Sequence, residues 1–288
     1  LQRQTLWHPV WDGDASAAQE FSRLPEVWRD AAYLIEREGE TVGQALLAVL
    51  DKRLVIREFG LIAQVGLDDA VVPQLLAHGR TRGAWRARAI VQEVRWPSLR
   101  GAGFALTKQR TTMQITLVQA SVGAPPLRQV DSRLASPRDI EALGELFYAA
   151  YRDTIDDEGE DEADWRAHAD DIVSGYFGDW IAEASFVTPR TPPFDSATML
   201  VRQGERAALL GQMVTRHSRV NRGLAGALLR ESMVALAALG FSQCFLETTI
   251  GNANAQHLYR KQGFVEVGPR IMYGEGRLGG WVVGWLGG

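Results

Sequence analysis

The sequence predicts a mixed α+β protein made of two similar halves, and three observations carry that expectation. The first is a strand–turn–helix–strand–helix run between Leu209 and Phe264. The second is an echo of the same order upstream. Ala32–Glu40 parallels Thr198–Glu205, Gly83 parallels Gly240, and Gly103-Phe104 parallels Gly263-Phe264, all at offsets of about 160 residues, which is the mark of an internal duplication. The third is a break between the halves at residues 119–127, where Gln-Ala-Ser-Val-Gly-Ala-Pro-Pro-Leu has a linker's composition. The expected domains are therefore 1–120 and 128–288.

In the first half, residues 1–30 hold Trp7, Trp11 and Trp28 among polar and small residues, an irregular arm whose tryptophans cover apolar surface. Ala32–Arg37, Val42–Val49 and Leu54–Ala63 read as strands, with a turn at Glu38–Glu40. Asp68 caps a helix through about His78, Ala87–Val94 is a further strand, and Phe104–Leu117 reads as a closing hairpin. The turn Gln64–Asp69 is short, and its two carboxylates would repel a phosphate.

The second half opens with a strand at Arg128–Arg133, then a helix from Pro137 to about Arg152 with Ser136 as its cap. Asp156–Asp164 is a carboxylate-rich loop, read first as a solvated loop that caps the next helix and second as an attractor of cations. Trp180–Val187 and Thr198–Gln203 read as strands on either side of a Pro-rich turn. Ala207–Val214 is an apolar strand. Leu224, Ala225, Leu228, Leu229, Met233 and Leu236 then recur at the spacing of one buried helix face, and Gly240 ends that helix. Cys244–Thr248 is a short buried strand, and Asn252 to Phe264 is a short helix with an Asn cap and a Gly stop. The alternating, aromatic stretch Gly279–Trp285 reads as a last strand.

Between the apolar strand and its helix lies Arg219-Val220-Asn221-Arg222-Gly223-Leu224-Ala225-Gly226. A helix start leaves its first N–H groups unpaired at the positive end of the helix dipole. Gly223 and Ala225 keep side chains out of the way of an approaching phosphate, and Arg219 and Arg222 add complementary charge. On this turn alone, a plain helix start is as good a reading as a phosphate site.

Composition narrows the classes. Of the 288 residues 46% are hydrophobic, and the net charge is −4, so no basic field favours nucleic acid. No apolar run has the length of a membrane span, and no basic-then-apolar leader opens the chain. The single cysteine, Cys244, cannot close an internal disulfide, which fits a reducing cytoplasm; in a buried strand it reads as core rather than nucleophile. The five histidines show no ligand spacing with one another or with Cys244, so no metal is expected.

Together the turn and the short helix resemble the GCN5-related N-acetyltransferase (GNAT) family, which transfers an acyl group from coenzyme A. The family's second block, Asn-x-x-Ala-x-x-Leu-Tyr-x-x-x-Gly-Phe, is complete as Asn252, Ala255, Leu258, Tyr259, Gly263 and Phe264. Its first block, Arg/Gln-x-x-Gly-x-Gly/Ala, is matched at Gly223 and Ala225, while Val220 stands where Arg or Gln is usual. The resemblance implies two tandem GNAT-like domains, each a mixed, mostly antiparallel sheet of about six or seven strands flanked by helices. It implies that the first copy is structural, since Pro97–Phe104 lacks the Asn and Tyr of that block.

It further implies acetyl-CoA as co-substrate, with Gln212, Met213 and Val214 offering backbone groups to the pantetheine arm and Asn252 holding it. Residues Arg219, Val220, Asn221, Arg222, Gly223, Leu224, Ala225 and Gly226 would hold the pyrophosphate, and Tyr259 would reprotonate the departing thiolate. The spacing Leu246-Glu247 to Asn252 resembles that of acetyltransferases of protein N-terminal alanines, which implies Glu247 as general base; His217 is the second choice. The implied acceptor is a primary amine, on a small molecule or a protein N-terminus, and the implied assembly is a monomer or homodimer. Two alternatives stay open: a non-catalytic binding or regulatory protein on the same fold, and a tandem acetyltransferase similar to mycothiol synthase.

Overall fold

The computed structural model describes residues 2–3, 32–37, 40–61, 68–117 and 130–278. The expected tryptophan-bearing arm, the turn at Gln64–Leu67, the linker at 119–127 and the strand in Gly279–Trp285 lie outside the described residues. By its contacts the chain divides into two compact units, one of residues 1–110 with 269–288 and one of residues 111–268.

In the first unit, β1 (Gln2–Arg3), β2 (Ala32–Arg37), β3 (Glu40–Leu50) and β4 (Arg53–Leu61) pair antiparallel in sequence order. Asp51 and Lys52 join β3 to β4 with φ of 49° and 58°, the left-handed pair that a two-residue hairpin turn requires. Helix α1 (Asp68–Thr81) then carries the chain over to β5 (Arg86–Gln92), which runs parallel to β4 from Arg53↔Arg86 to Ile56↔Ala89. A short helix, α2 (Trp96–Gly101), leads into β6 (Ala105–Thr116), whose residues from Thr111 on belong to the second unit. Ala87, Ala89 and Val91 alternate into a core with Leu54, Ile56, Leu75 and Leu99.

The second unit repeats that order. After β7 (Arg133–Leu134) come α3 (Ile140–Tyr151), α4 (Glu162–Val173), β8 (Phe186–Thr188), β9 (Ser196–Arg202) and β10 (Ala207–Thr215). Next are α5 (Leu224–Ala238), β11 (Gln243–Thr249), α6 (Ala253–Lys261) and the opening of β12 (Val265–Arg277), whose residues from Pro269 on belong to the first unit and pair antiparallel with β5. Strands β7 to β10 pair antiparallel, and β10 pairs parallel with β11, the strand that follows its crossover helix. Two cores cover the sheet's two faces. Leu200, Ala208, Leu210, Cys244 and Leu246 pack with Leu229, Leu236 and Tyr259 of α5 and α6. Ala197, Met199, Val201 and Val214 pack with Phe147, Trp165 and Ala169 of α3 and α4. Period-two alternation along β9 divides its residues between these two cores.

The repetition reaches individual hydrogen bonds. Phe104 N donates to Leu99 O and Phe264 N to Tyr259 O, each at 3.0 Å. Gly103 and Gly263 supply the positive φ, 90° and 94°, at the two helix ends. One helix earlier, Ala84 N donates to Gly79 O and Phe241 N to Leu236 O, again at 3.0 Å each. In this repeat Leu99 of the first unit is the counterpart of Tyr259 of the second.

Four expectations are corrected. Phe104–Leu117 is no hairpin but part of one strand, β6, because no residue in it suits the positive φ of a tight turn. Of Trp180–Val187, Trp180 makes a single bridge to Val201, Ala182–Ala184 is a 3-10 turn, and the strand is limited to Phe186–Thr188. Of the Arg128–Arg133 strand, the described part pairs only at Arg133, which continues to Leu134. The long strand β12 was not anticipated, because Gly268, Pro269, Gly274 and Gly276 break its pattern. Those last two glycines make room for rings: a Cβ on Gly274 would lie 2.4 Å from Trp96 Cζ3, and one on Gly276 3.1 Å from Phe104.

Candidate active site

The site begins with one extra residue in β10. Leu210 faces Leu200 and Gln212 faces Met199, so Gly211 is left over as a bulge. The insertion changes which face each residue meets. Ala208 and Leu210 pack on the α5–α6 side, whereas beyond the bulge Met213 takes that side and Val214 packs toward α3 and α4. Beside it, the parallel ladder between β10 and β11 stops early. It holds Ala207↔Gln243, Ala208↔Cys244 and Leu209↔Phe245 and goes no further, although both strands continue. Backbone groups of Gln212, Met213 and Val214 on the β11 side are thereby left without a strand partner, as a ligand with amide groups of its own requires.

The ends of these strands lead to the two expected blocks. After the 3-10 turn His217–Arg219, Asn221 and Gly223 take φ of 61° and 77°, and α5 starts at Leu224. The first amide drawn into the helix is that of Ala227, which donates to Gly223 O at 3.0 Å. Among the described residues no backbone carbonyl takes the amides of Gly223, Leu224, Ala225 or Gly226. A Cβ on Gly223 would meet nothing within 4 Å, so the space beside this residue is open. Gly226 lies against α6, where a Cβ would come 3.4 Å from Gln262 Nε2 and 3.5 Å from Leu258. This is an anion-binding helix start in its donors and its space. Its charge is less than the sequence suggests: Arg219 Nε is held by Asp195 Oδ1 at 3.1 Å, and Val220 is exposed without a charge of its own. Arg222 is exposed on the same turn.

On α6, Asn252 Oδ1 accepts from Ala255 N at 3.2 Å, capping the helix. Tyr259, one helical stretch on, is buried beside Phe264, with ring centroids 5.9 Å apart. Its hydroxyl is not among the buried polar atoms that lack a partner. Burial pushes the phenol's pKa up, and Tyr151, Asp156 and Cys244 nearby push it the same way, so Tyr259 keeps its proton at any working pH. Cys244 is itself buried, which raises its thiol to about 12; it is core, not nucleophile.

Glu247 is exposed on β11 between buried Leu246 and Thr248, and alternation puts it on one face with Phe245 and Thr249. Thr249 Oγ1 donates to Asp156 Oδ1 on the loop after α3, so Glu247 faces that loop's side of the sheet. His217 is exposed and its ring nitrogen lies 3.2 Å from Arg152 O, at the end of α3.

Most of the acidic loop is occupied with its own backbone. Asp157 takes the amides of Asp153 and Gly159, Glu160 takes that of Glu158, and Asp161 with Asp164 forms a capping box on α4. Asp156 differs in reaching across to β11.

Three residues with a place in this site were not singled out for these side-chain contacts. Tyr151 Oη lies 2.5 Å from Gln212 Oε1, and Gln212 Nε2 lies 2.8 Å from His168 Nε2. Tyr151 is stacked on Trp165 at 4.5 Å and 5°. His168 sits among Phe147, Trp165 and Phe177, and burial lowers its pKa against the smaller raising effects of Asp171 and Glu160. One sequence signal was available: a glycine followed by a glutamine in an otherwise apolar strand marks a bulge and a polar group turned inward. Among the described residues no group of three or more His, Cys, Asp or Glu is placed to hold a metal ion, and no helix is long and apolar enough to cross a membrane.

Comparison with known proteins bears on the family and the fold. Residues 140–264 match the model of the Acetyltransferase (GNAT) family. Among solved structures, a GCN5-related N-acetyltransferase from Sphaerobacter thermophilus superposes with a TM-score of 0.64 at 16% identity, over 86% of this chain and 81% of that one. A tandem GNAT protein from the clavulanic acid biosynthesis pathway gives 0.59 at 14% identity, over 87% and 84%. A GCN5-related N-acetyltransferase from Kribbella flavida gives 0.55 at 17% identity, over 92% and 93%. At such identities the likeness establishes the fold. No curated protein matches the chain.

Proposed function

We propose that this chain, which carries a GNAT-family domain over residues 140–264, transfers an acetyl or other acyl group from coenzyme A to a primary amine. The observation that carries the reading is the convergence of two openings. The unpaired amides at the start of α5 suit a pyrophosphate, and the early end of the β10–β11 ladder suits an extended arm with amide groups. Both lie within one domain with Tyr259.

Direct attack within a ternary complex needs a neutral amine, donors for the developing oxyanion and a proton for the departing thiolate. Glu247 would take the proton released by the amine, directly or through water. Backbone N–H on β10 past the bulge would face the carbonyl oxygen, and Tyr259 would return a proton to sulfur. Asn252, at the head of the same helix, would hold the pantetheine arm. With Arg219 engaged by Asp195 and Val220 apolar, main-chain amides and Arg222 carry the phosphate contact in this reading.

In the first unit Leu99 stands at the place of Tyr259, which supports reading that unit as a scaffold without acyl-transfer chemistry. The reduced charge on the turn is what favours the second reading, a protein that binds coenzyme A without turning it over. Acetyl-CoA at about 100 times its Kd should raise native stability by about 2.7 kcal/mol, seen as a higher melting temperature. Thiol release with a panel of amines then separates catalyst from binder. An unchanged melting temperature at millimolar acetyl-CoA would sink both readings.

A further inference from the structure

The Tyr151–Gln212–His168 contacts carry a direction. A carboxamide accepts only through its oxygen and donates only through its nitrogen. The 2.5 Å separation at Tyr151 suits O–H···O, being shorter than N–H···O bonds run, so the oxygen belongs on the tyrosine side. The nitrogen then points at His168 Nε2, 2.8 Å away, which must accept and so carries no proton. That leaves the ring proton of His168 on Nδ1. The charged groups near the imidazole are Asp171 on α4 and Glu160 before it, while Phe147, Trp165 and Phe177 close the rest. Burial outweighs the two carboxylates and keeps the ring neutral.

We infer that Gln212 is a positioning residue: turned toward α3 and α4 by the Gly211 bulge and anchored on His168, it takes the hydroxyl proton of Tyr151, so that Tyr151 presents lone pairs to the N–H of the acceptor amine. The stack on Trp165 fixes the ring plane of Tyr151, and its hydroxyl meets Gln212, which stands on β10 beyond the last pair of the β10–β11 ladder. An N–H donor held by Tyr151 is therefore held beside the stretch of β10 that the ladder with β11 leaves open. This inference rests on the acyl-transfer reading for the identity of the incoming amine, but the orientation of Gln212 does not.

The test has two arms. In nitrogen-15 spectra of histidine-labelled wild-type protein at neutral pH, His168 should appear as the Nδ1–H tautomer. Finding the proton on Nε2 would reverse Gln212 and overturn the inference. In kinetics, Tyr151→Phe, Gln212→Met and the double variant should each lose about tenfold in kcat/KM for the amine, the effect of one lost hydrogen bond shared by the pair. All three should keep the wild-type thermal shift with acetyl-CoA. Losses that multiply in the double variant would refute a shared role. A wild type that gives no shift with acetyl-CoA counts against acyl transfer, while the tautomer still decides the orientation of Gln212.

Discussion

Replacing Tyr259 with Phe separates chemistry from folding more cleanly than most substitutions at a buried site. The ring lies in a core with Leu229, Leu236, Cys244 and Phe264, and phenylalanine keeps that packing. The first unit already tolerates an apolar side chain at the equivalent place, since Leu99 is fully buried there. The hydroxyl is not among the buried polar atoms that lack a partner, so its removal relieves little burial penalty, roughly 1 kcal/mol at most. Tyr259→Phe should therefore be between unchanged and about 1 kcal/mol more stable, a shift of no more than about 4 °C upward in Tm. Turnover should fall by about 10²- to 10⁴-fold if the phenol is the proton donor. Thermal melts with and without acetyl-CoA, together with thiol release at saturating acetyl-CoA, read both quantities. A variant that melts several degrees lower, or that turns over within about threefold of wild type, would refute the reasoning.

Three further outcomes follow from packing and charge. A Cβ on Gly144 would lie 2.7 Å from Arg166 Cα, so Gly144→Ala must part α3 from α4; a loss of about 1–3 kcal/mol in urea unfolding is expected despite alanine's better helix propensity. Burial holds the pKa of His168 below its ordinary 6.5, so the unfolded chain binds its proton first. Stability from this group is therefore complete above 6.5 and is lost as pH falls toward the folded-state value, at up to about 1.4 kcal/mol per pH unit, and His168→Gln should lack that part of the slope. Cys244 is buried and its thiol is raised to about 12, so iodoacetamide should label it only at the rate of unfolding; fast labelling of the native protein would show that β11 opens.

What could be read from the sequence was what is local. Helix α6 announces itself because Asn252, Gly263 and the spacing of Leu258 and Tyr259 lie within a dozen or so positions, and α5 because Gly223 and Gly240 bracket one apolar stripe. The duplication was legible for the same reason, since helix-ending glycines keep their places even where chemistry differs. Strand β12 was not legible, because its glycines answer to the rings of Trp96 and Phe104, remote along the chain. Nor was the Tyr151–Gln212–His168 contact, which draws one residue from each of α3, β10 and α4. From the sequence alone His168 stands out only as one of five histidines without ligand spacing. The acidic loop was read as a solvated cap, which describes Asp157, Asp161 and Asp164 but misses the reach of Asp156 to Thr249.

Were Gly211 drawn into the ladder as an ordinary paired residue, β10 would run in a single phase from end to end. Gln212 would then swing into the hydrocarbon around Leu229 and Leu236, and Met213 would take its place opposite Tyr151 and His168. The upstream half of the strand is in step with the sheet it braces, and the downstream half is in step with the chemistry beyond it. One surplus residue reconciles the two rhythms, so forcing that residue into the ladder should cost more than most side-chain exchanges along the strand.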